Sequence, residues 1–154
     1  MADQMTFKRY EIKYMLTRRQ EEQIKQVMAP YMKEDEHRRS TICSLYLDTP
    51  DYLLIRRSMD HPVYKEKLRL RSYGVAKENT TVFLELKKKY DSVVYKRRIS
   101  MPLAQAGQFL AEETARKTDQ SENTGIAGNN PQIRKEIRYC MQTYHGLHPA
   151  VLLT

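Results

Sequence analysis

The sequence predicts an α+β fold, an antiparallel β-sheet with flanking helices. Three consecutive segments between residues 63 and 101 alternate apolar and charged side chains, and short turn signals separate them. The segments on either side of this region carry apolar residues at helical spacing. With 154 residues, 40% of them hydrophobic, the chain is long enough to bury one core, and we expect a single domain over residues 1–154.

The N-terminal region predicts a strand followed by a helix. Residues 5–15 alternate with period two and are rich in Tyr and Ile, which favours a strand. Thr17 and Gln20 form a capping-box pattern that begins a helix over 17–29. An apolar stripe on this helix has the spacing of a face that packs against a core: Ile24, Val27, Met28 and Tyr31.

The central region predicts a strand, a short helix and an antiparallel meander. Residues 40–48 favour a strand, and Pro50 suits the first turn of a short helix over 49–57. Turn signals then separate three further strands, which the alternation places at 63–73, 81–89 and 92–101.

The C-terminal region predicts two helices and a last strand. Helical spacing covers 102–115 and 131–144, and the polar, Gly- and Asn-containing stretch between them, 116–130, predicts a flexible loop. Residues 148–154 begin an apolar strand. An unpaired apolar edge strand is normally avoided, so we expect it to pair with further chain or with a second copy.

Positive charge is concentrated in one part of the chain. Residues 61–100 hold 11 Lys and Arg against 4 Asp and Glu, a net charge of +7, while the other 114 residues have a net charge of +1. Charge of one sign at this density indicates a polyanionic partner such as nucleic acid, anionic lipid or a phosphate-rich small molecule. The alternative is a lysine-rich face that is only solvated.

Alternation places most of these charges on one face of the predicted sheet. That face would carry Arg9, Glu11 and Lys13 of the first strand, Lys65, Lys67, Arg69 and Arg71 of the third, Glu85, Lys87 and Lys89 of the fourth, and Lys96 and Arg98 of the fifth. Like charges across a sheet are destabilising, so the pattern favours a bound phosphate chain. The two glutamates could hold a divalent ion that bridges phosphate oxygens. Glu85 could instead only neutralise Lys13 or Arg69.

Several other classes of protein are disfavoured. No apolar run reaches the roughly 18 residues of a membrane helix, and no secretory signal is recognisable. The two cysteines form no CxxC motif, so we expect a cytoplasmic protein without a disulfide scaffold. Nucleic acid is not favoured, because the basic strands have few aromatic residues that could stack on bases. The main candidates are Phe83 and Tyr95. A glycine-rich phosphate loop is also lacking.

Five motifs, in order, resemble the VTC domain, the polyphosphate-polymerase domain of the vacuolar transporter chaperone family. This family belongs to the CYTH-like triphosphate tunnel metalloenzymes, and the resemblance covers about residues 5–154. The motifs are RYEIKY at 9–14, SLYLD at 44–48, KLRLRSYG at 67–74, ELKKK at 85–89 and VYKRR at 94–98. Arg9 stands where the wider superfamily has the first acidic residue of its ExExK motif, which fits the VTC branch better.

The resemblance implies the N-terminal half of a closed antiparallel β-barrel whose tunnel binds polyphosphate, ATP or another triphosphate with Mg²⁺ or Mn²⁺. It implies Glu11 and Glu85 as metal-facing residues. It also implies a set of phosphate contacts, namely Lys13, Lys67, Arg69, Arg71, Lys87 and Lys96. The family's domain continues beyond Thr154, so either the chain is a truncated form or two copies form a homodimer that completes the tunnel.

The parent activity implied is transfer of the ATP γ-phosphate onto a growing polyphosphate chain. Such phosphoryl transfer needs positioning and charge neutralisation more than covalent chemistry from the protein. Two alternatives stay open: a metal-dependent triphosphatase, and a non-catalytic module that only binds polyphosphate.

Overall fold

The computed structural model describes residues 6–9 by their backbone, and residues 12–33, 40–115 and 130–154 with their side chains. It divides into two compact units. One comprises Met1–Tyr10 with Thr41–Thr154, and the other comprises Glu11–Ser40.

The 11–40 unit contains one helix, α1, at Arg18–Met28. The predicted capping box is confirmed, because the Thr17 hydroxyl accepts from the Gln20 N–H at 3.3 Å and the Gln20 side chain accepts from the Thr17 N–H at 2.9 Å. Within this unit the predicted buried stripe is not formed, since no α1 residue is buried. The described residues of this unit supply no second layer that could cover Ile24, Val27, Met28 and Tyr31.

The larger unit is built on a six-stranded sheet in the order β1-β5-β4-β3-β2-β6, with every neighbouring pair antiparallel. The strands are β1 Thr6–Arg9, β2 Ile42–Asp48, β3 Tyr64–Tyr73, β4 Thr81–Tyr90, β5 Val93–Pro102 and β6 His148–Leu153. The predicted meander and last strand are therefore confirmed. Within the described residues the sheet is open, with β1 and β6 at its edges.

The first strand is shorter than predicted. Residues 12–17 have no regular structure, and within the described residues β1 covers Thr6–Arg9. Arg9 pairs with Val94, and β5 begins at Val93, so the hydrogen-bonding edge available to β1 ends almost there. Alternation in the sequence cannot show where the partner strand ends. The predicted flexible loop lies almost wholly at 116–129, outside the described residues.

Three helices complete the larger unit: α2 Leu53–Met59, α3 Leu103–Ala115 and α4 Pro131–Thr143. Helix α2 begins later than predicted, and Pro50 lies in the preceding turn. The reason is a cap built upstream, since the Asp48 carboxylate accepts from the N–H groups of Leu54 and Ile55 at 2.9 and 3.0 Å. These acceptors fix the N-terminus of α2 beside the end of β2.

The core lies on one face of the sheet, which α3 and α4 cover. Leucine and isoleucine from the central strands are fully buried there against Phe109 of α3 and Ile137 of α4. The strand residues are Leu68, Leu84, Leu86 and Ile99. No helix in the described part of the chain is long and apolar enough to cross a membrane. Burial of this face fixes the register of β3, β4 and β5 and so decides what the opposite face presents.

Candidate functional site

The face of β3–β5 that points away from the core carries eight bases and one acid. We call it the cationic face. Because successive side chains of a strand point to opposite sides, the residues that alternate with the buried leucines must share this face. The acid is Glu85, and the bases are Lys65, Lys67, Arg69, Arg71, Lys87, Lys89, Lys96 and Arg98.

Strand register arranges these side chains in rows across the sheet. Lys67, Lys87 and Lys96 are direct neighbours and form the lysine row. Arg69, Glu85 and Arg98 form the adjacent arginine row. Neighbouring strands lie about 4.8 Å apart, so three lysines abreast place like charges where they repel one another.

Glu85 is the centre of an ion-pair cluster in the arginine row. Its side chain is 0% exposed. Arg69 donates from Nε and Nη2 to Oε2 at 2.8 Å each, and Arg98 donates to Oε1 at 2.9 and 2.8 Å. Lys96 Nζ lies 2.5 Å from Oε1. Both carboxylate oxygens are therefore occupied by charged donors, which are the strongest kind of hydrogen-bond partner.

The electrostatics of the cluster favour an ionised Glu85. Burial alone would raise the pKa of Glu85, but the hydrogen bond from Lys96 and the charge of Arg69 outweigh it and lower the pKa to about 2. The pKa of Lys96 is lowered by burial and by Arg98 and Arg71, against the opposing effect of Glu85.

Of the three arginines around Glu85, Arg71 makes the weakest contact with it. Its Nε lies 3.9 Å from Oε2, too far for a hydrogen bond. That Nε is buried and has no hydrogen-bond partner among the described residues. A buried guanidinium donor without an acceptor is unfavourable, so an anion bound beside Arg71 would supply what is missing.

Aromatic side chains hold the two arginines of the arginine row in place. The Tyr46 hydroxyl accepts from Arg69 Nη1 at 3.1 Å, and the Arg69 guanidinium lies 5.8 Å from the centre of the same ring. The Arg98 guanidinium lies 4.5 Å from the centre of the Phe83 ring. These contacts orient the guanidinium groups as cation–π pairs before any ligand binds.

The structure brings most of the predicted site residues together. Lys67, Arg69, Arg71, Lys87 and Lys96 share the cationic face with Glu85. Lys13 lies in the irregular segment before α1, in the 11–40 unit, with an exposed side chain. Glu11 lies outside the described residues.

Arg98 belongs to the cluster but was not among the predicted phosphate contacts. The sequence holds a signal for it, because Arg98 follows Lys96 by two residues and must point to the same side of β5. The aromatic contribution of Tyr46 and Phe83 had no comparable signal. It depends on which residues the register places beside an arginine.

The Glu85 carboxylate does not fit a divalent metal ion in this arrangement. A hard cation needs carboxylate oxygens with free lone pairs, and here both oxygens accept from Arg or Lys. The surrounding bases would also repel a cation. The described residues contain no group of three or more His, Cys, Asp or Glu that could hold a metal. For Glu11, metal binding stays a prediction.

Comparison with known families identifies the family of the chain. A family model for the VTC domain matches residues 8–154, nearly the whole chain, and the chain belongs to the VTC domain family. Membership indicates a polyphosphate-related function in general terms. Among curated proteins and among solved structures, none matches the chain significantly.

Proposed function

We propose that the cationic face binds the phosphate chain of inorganic polyphosphate or of a nucleoside triphosphate. The observation that carries the proposal is the imbalance of one acid against eight bases on the central strands, with lysines directly opposed in register. Such opposition is unfavourable in an unliganded sheet, and a phosphate chain would relieve it.

The side chains are suited to this ligand in two ways. Arginines present several N–H donors in one plane and match phosphate oxygens, while lysines contribute compact charges. The four bases nearest Glu85 keep only 11–18% of their side chains exposed. Phosphate bound there would be partly shielded from water, which strengthens the attraction.

We further propose ATP-dependent polyphosphate synthesis as the activity, with the γ-phosphate transferred to the end of a chain. The family supports this, and the chemistry makes modest demands on the protein. Phosphoryl transfer depends on holding donor and acceptor in line and on neutralising charge on the equatorial oxygens. Bases fixed in advance by Glu85, Tyr46 and Phe83 could do both.

A divalent ion, Mg²⁺ or Mn²⁺, is proposed as a companion of the phosphate chain. It would neutralise phosphate charge when bound, and Mg²⁺ commonly retains several waters while it contacts phosphates. Glu85 is not proposed as its ligand, because its oxygens are occupied.

Lys87 and Lys88 offer a matched test of phosphate binding, because they are adjacent in sequence and lie on opposite faces. Lys87 is in the lysine row, and Lys88 contacts Glu136 of α4. We expect Lys87→Ala to weaken tripolyphosphate binding roughly tenfold, the loss of one charged contact. Lys88→Ala should bind like the parent protein. Isothermal titration calorimetry at about 150 mM salt, close to physiological screening, would measure both.

Equal weakening by both variants would show only a general charge effect and would contradict a site on the cationic face. Binding of citrate or DNA as tightly as tripolyphosphate would contradict a phosphate-chain site. Incubation with ATP and Mn²⁺ then separates the reactions: a polymer indicates the polymerase, free phosphate a triphosphatase, and binding without turnover a non-catalytic module.

Enclosure of the ligand in a tunnel is proposed to need strands beyond the six described here. The sheet has open edges at β1 and β6, and β6 exposes Val151, Leu152 and Leu153. A second copy that pairs along β6 would supply the strands, forming a homodimer. Sedimentation with tripolyphosphate present should then give the mass of a dimer. A monomeric mass would contradict the homodimer and leave phosphate binding untouched.

A further inference from the structure

The two ends of the cationic face differ in chemistry. At one end, Lys65 and Lys89 pair across β3 and β4. At the other end, beyond the arginine row, Arg71 pairs with Phe83, and Tyr73 follows on β3. The cationic face therefore has lysines at one end of the strands and aromatic residues at the other. A bound phosphate chain would contact different side chains at its two ends.

The aromatic end is formed by two rings in contact. Tyr73 and Phe83 pack edge to face, with ring centres 5.8 Å apart and an interplanar angle of 77°. Arg98 covers one side of the Phe83 ring at 4.5 Å, while the Tyr73 side chain is 50% exposed. Phe83 is thus in contact with both Arg98 and Tyr73, and it supports a tyrosine that is half exposed to solvent.

The two rings adjoin Arg71, which contacts Glu85 less closely than Arg69 and Arg98 do. Side chains two residues apart on one face of a strand are about 6.6 Å apart, so Arg71 lies directly between Tyr73 and Arg69. Arg71 also has the buried Nε without a hydrogen-bond partner among the described residues. A group stacked on Tyr73 and carrying phosphates would deliver an oxygen to the donor that lacks an acceptor.

We propose that Tyr73, supported by Phe83, is the stacking platform for the base of a nucleoside triphosphate. The phosphates then extend over Arg71 and the arginine row towards the lysine row, and inorganic chain occupies the lysine end. The inference rests on the proposed phosphate-binding function and adds an orientation and a nucleotide subsite to it. Aromatic rings bind bases through stacking whichever base is present, so discrimination between bases should be weak.

The test compares ATP with tripolyphosphate, because the two share the phosphates and only ATP has the base. Calorimetry at about 150 mM salt would be run on the parent protein, Tyr73→Ala, Tyr73→Phe and Tyr90→Ala. Tyr90 is a matched control: an exposed tyrosine on β4 that points to the other side of the sheet. Thermal unfolding of each variant would verify that it is folded.

We expect Tyr73→Ala to weaken ATP binding roughly tenfold, the loss of one stacked base, and to leave tripolyphosphate affinity within about twofold. Tyr73→Phe keeps the ring and should bind ATP like the parent protein. Tyr90→Ala should change neither affinity.

Two failures are distinguishable. If tripolyphosphate binds but ATP binds no more tightly and Tyr73→Ala affects both ligands equally, the nucleotide subsite is overturned while the phosphate face stands. If neither ligand binds the parent protein, the proposed function fails and the subsite with it. Tighter binding of a single-stranded oligonucleotide than of ATP would also overturn the proposal, since it would identify nucleic acid as the stacked ligand.

Discussion

Glutamates contact bases on both sides of the sheet, but in different proportions. On the helix-covered face, Glu136 of α4 accepts from Arg97 through both oxygens at 3.2 Å and lies 3.5 Å from Lys88. Between the helices, both oxygens of Glu113 accept from Arg138 at 3.0 Å. On the cationic face Glu85 faces four bases within 4 Å, and four more share its surface.

The ion pairs of Glu136 and Glu113 hold secondary-structure elements together. The excess of bases around Glu85 is instead suited to binding an anionic ligand. Glu136 joins α4 to β4 and β5, and Glu113 joins α3 to α4, each through one or two bases among the described residues. Such near-balanced clusters need nothing from outside. The cationic face has an excess of bases that folding alone does not explain, because repulsion between them opposes the sheet.

Removal of the charge of Glu85 should have the largest effect on the stability of the sheet. Glu85→Gln removes the buried carboxylate that contacts Arg69, Lys96 and Arg98, so we expect the free energy of unfolding to fall by about 3–5 kcal/mol. Glu136→Gln, whose parent side chain is 22% exposed, should cost about 1 kcal/mol. Urea denaturation measures both.

Tripolyphosphate should then stabilise Glu85→Gln more than the parent protein, since the ligand replaces part of the missing negative charge. A ligand at about 100 times its dissociation constant adds about 2.7 kcal/mol, which a thermal shift detects readily. Equal losses in the two glutamine variants would remove the distinction between the faces.

Acid should affect the cationic face within a defined pH window. A carboxyl whose pKa is lowered on folding contributes stability that is complete above its unfolded-state value of 4.5 and is lost as the pH falls to about 2. We expect the parent protein to lose about 3 kcal/mol between these values through Glu85. Glu85→Gln should lack this component. Denaturation curves measured at several pH values would show it, and parallel curves for the two proteins would contradict it.

A substitution between α3 and α4 should lower the free energy of unfolding and leave ligand affinity unchanged. Arg138→Ala removes the guanidinium that contacts both oxygens of buried Glu113, and we expect a loss of about 2 kcal/mol in unfolding free energy. Tripolyphosphate affinity should stay at the parent value. Arg18→Ala, which removes an exposed ion pair with Glu22, serves as a control with little expected effect on stability. Weakened phosphate binding in Arg138→Ala would show that the faces are coupled.

The smallest expected effect on stability comes from Arg71. Because its Nε makes no hydrogen bond within the described structure, Arg71→Lys should leave the unfolding free energy within about 0.5 kcal/mol of the parent value. It should still weaken tripolyphosphate binding about fivefold, since lysine cannot offer a planar set of donors. The contrasting variant is Arg98→Lys, which also disturbs Glu85 and should lose stability. Identical losses of unfolding free energy in the two variants would contradict the expectation that Arg98 contributes more to stability than Arg71.

Much of the fold followed from local patterns. The alternation of residues 63–101 predicted β3, β4 and β5 and the face of each base, and the Thr17–Gln20 pattern predicted the start of α1. The extent of β1 and the beginning of α2 could not be predicted, because the first depends on where β5 begins and the second on an upstream carboxylate, Asp48.

The candidate site divides in the same way. That Lys67, Arg69 and Arg71 share a face is a property of one strand, and the sequence alone determines it through the two-residue period of β-structure. In contrast, Arg69 and Arg98 reach the two oxygens of Glu85 only through the tertiary structure, since these three residues lie on three strands. Their meeting depends on a register fixed by the burial of leucines on the other face. Periodicity within a strand is local, whereas pairing between strands is set by packing.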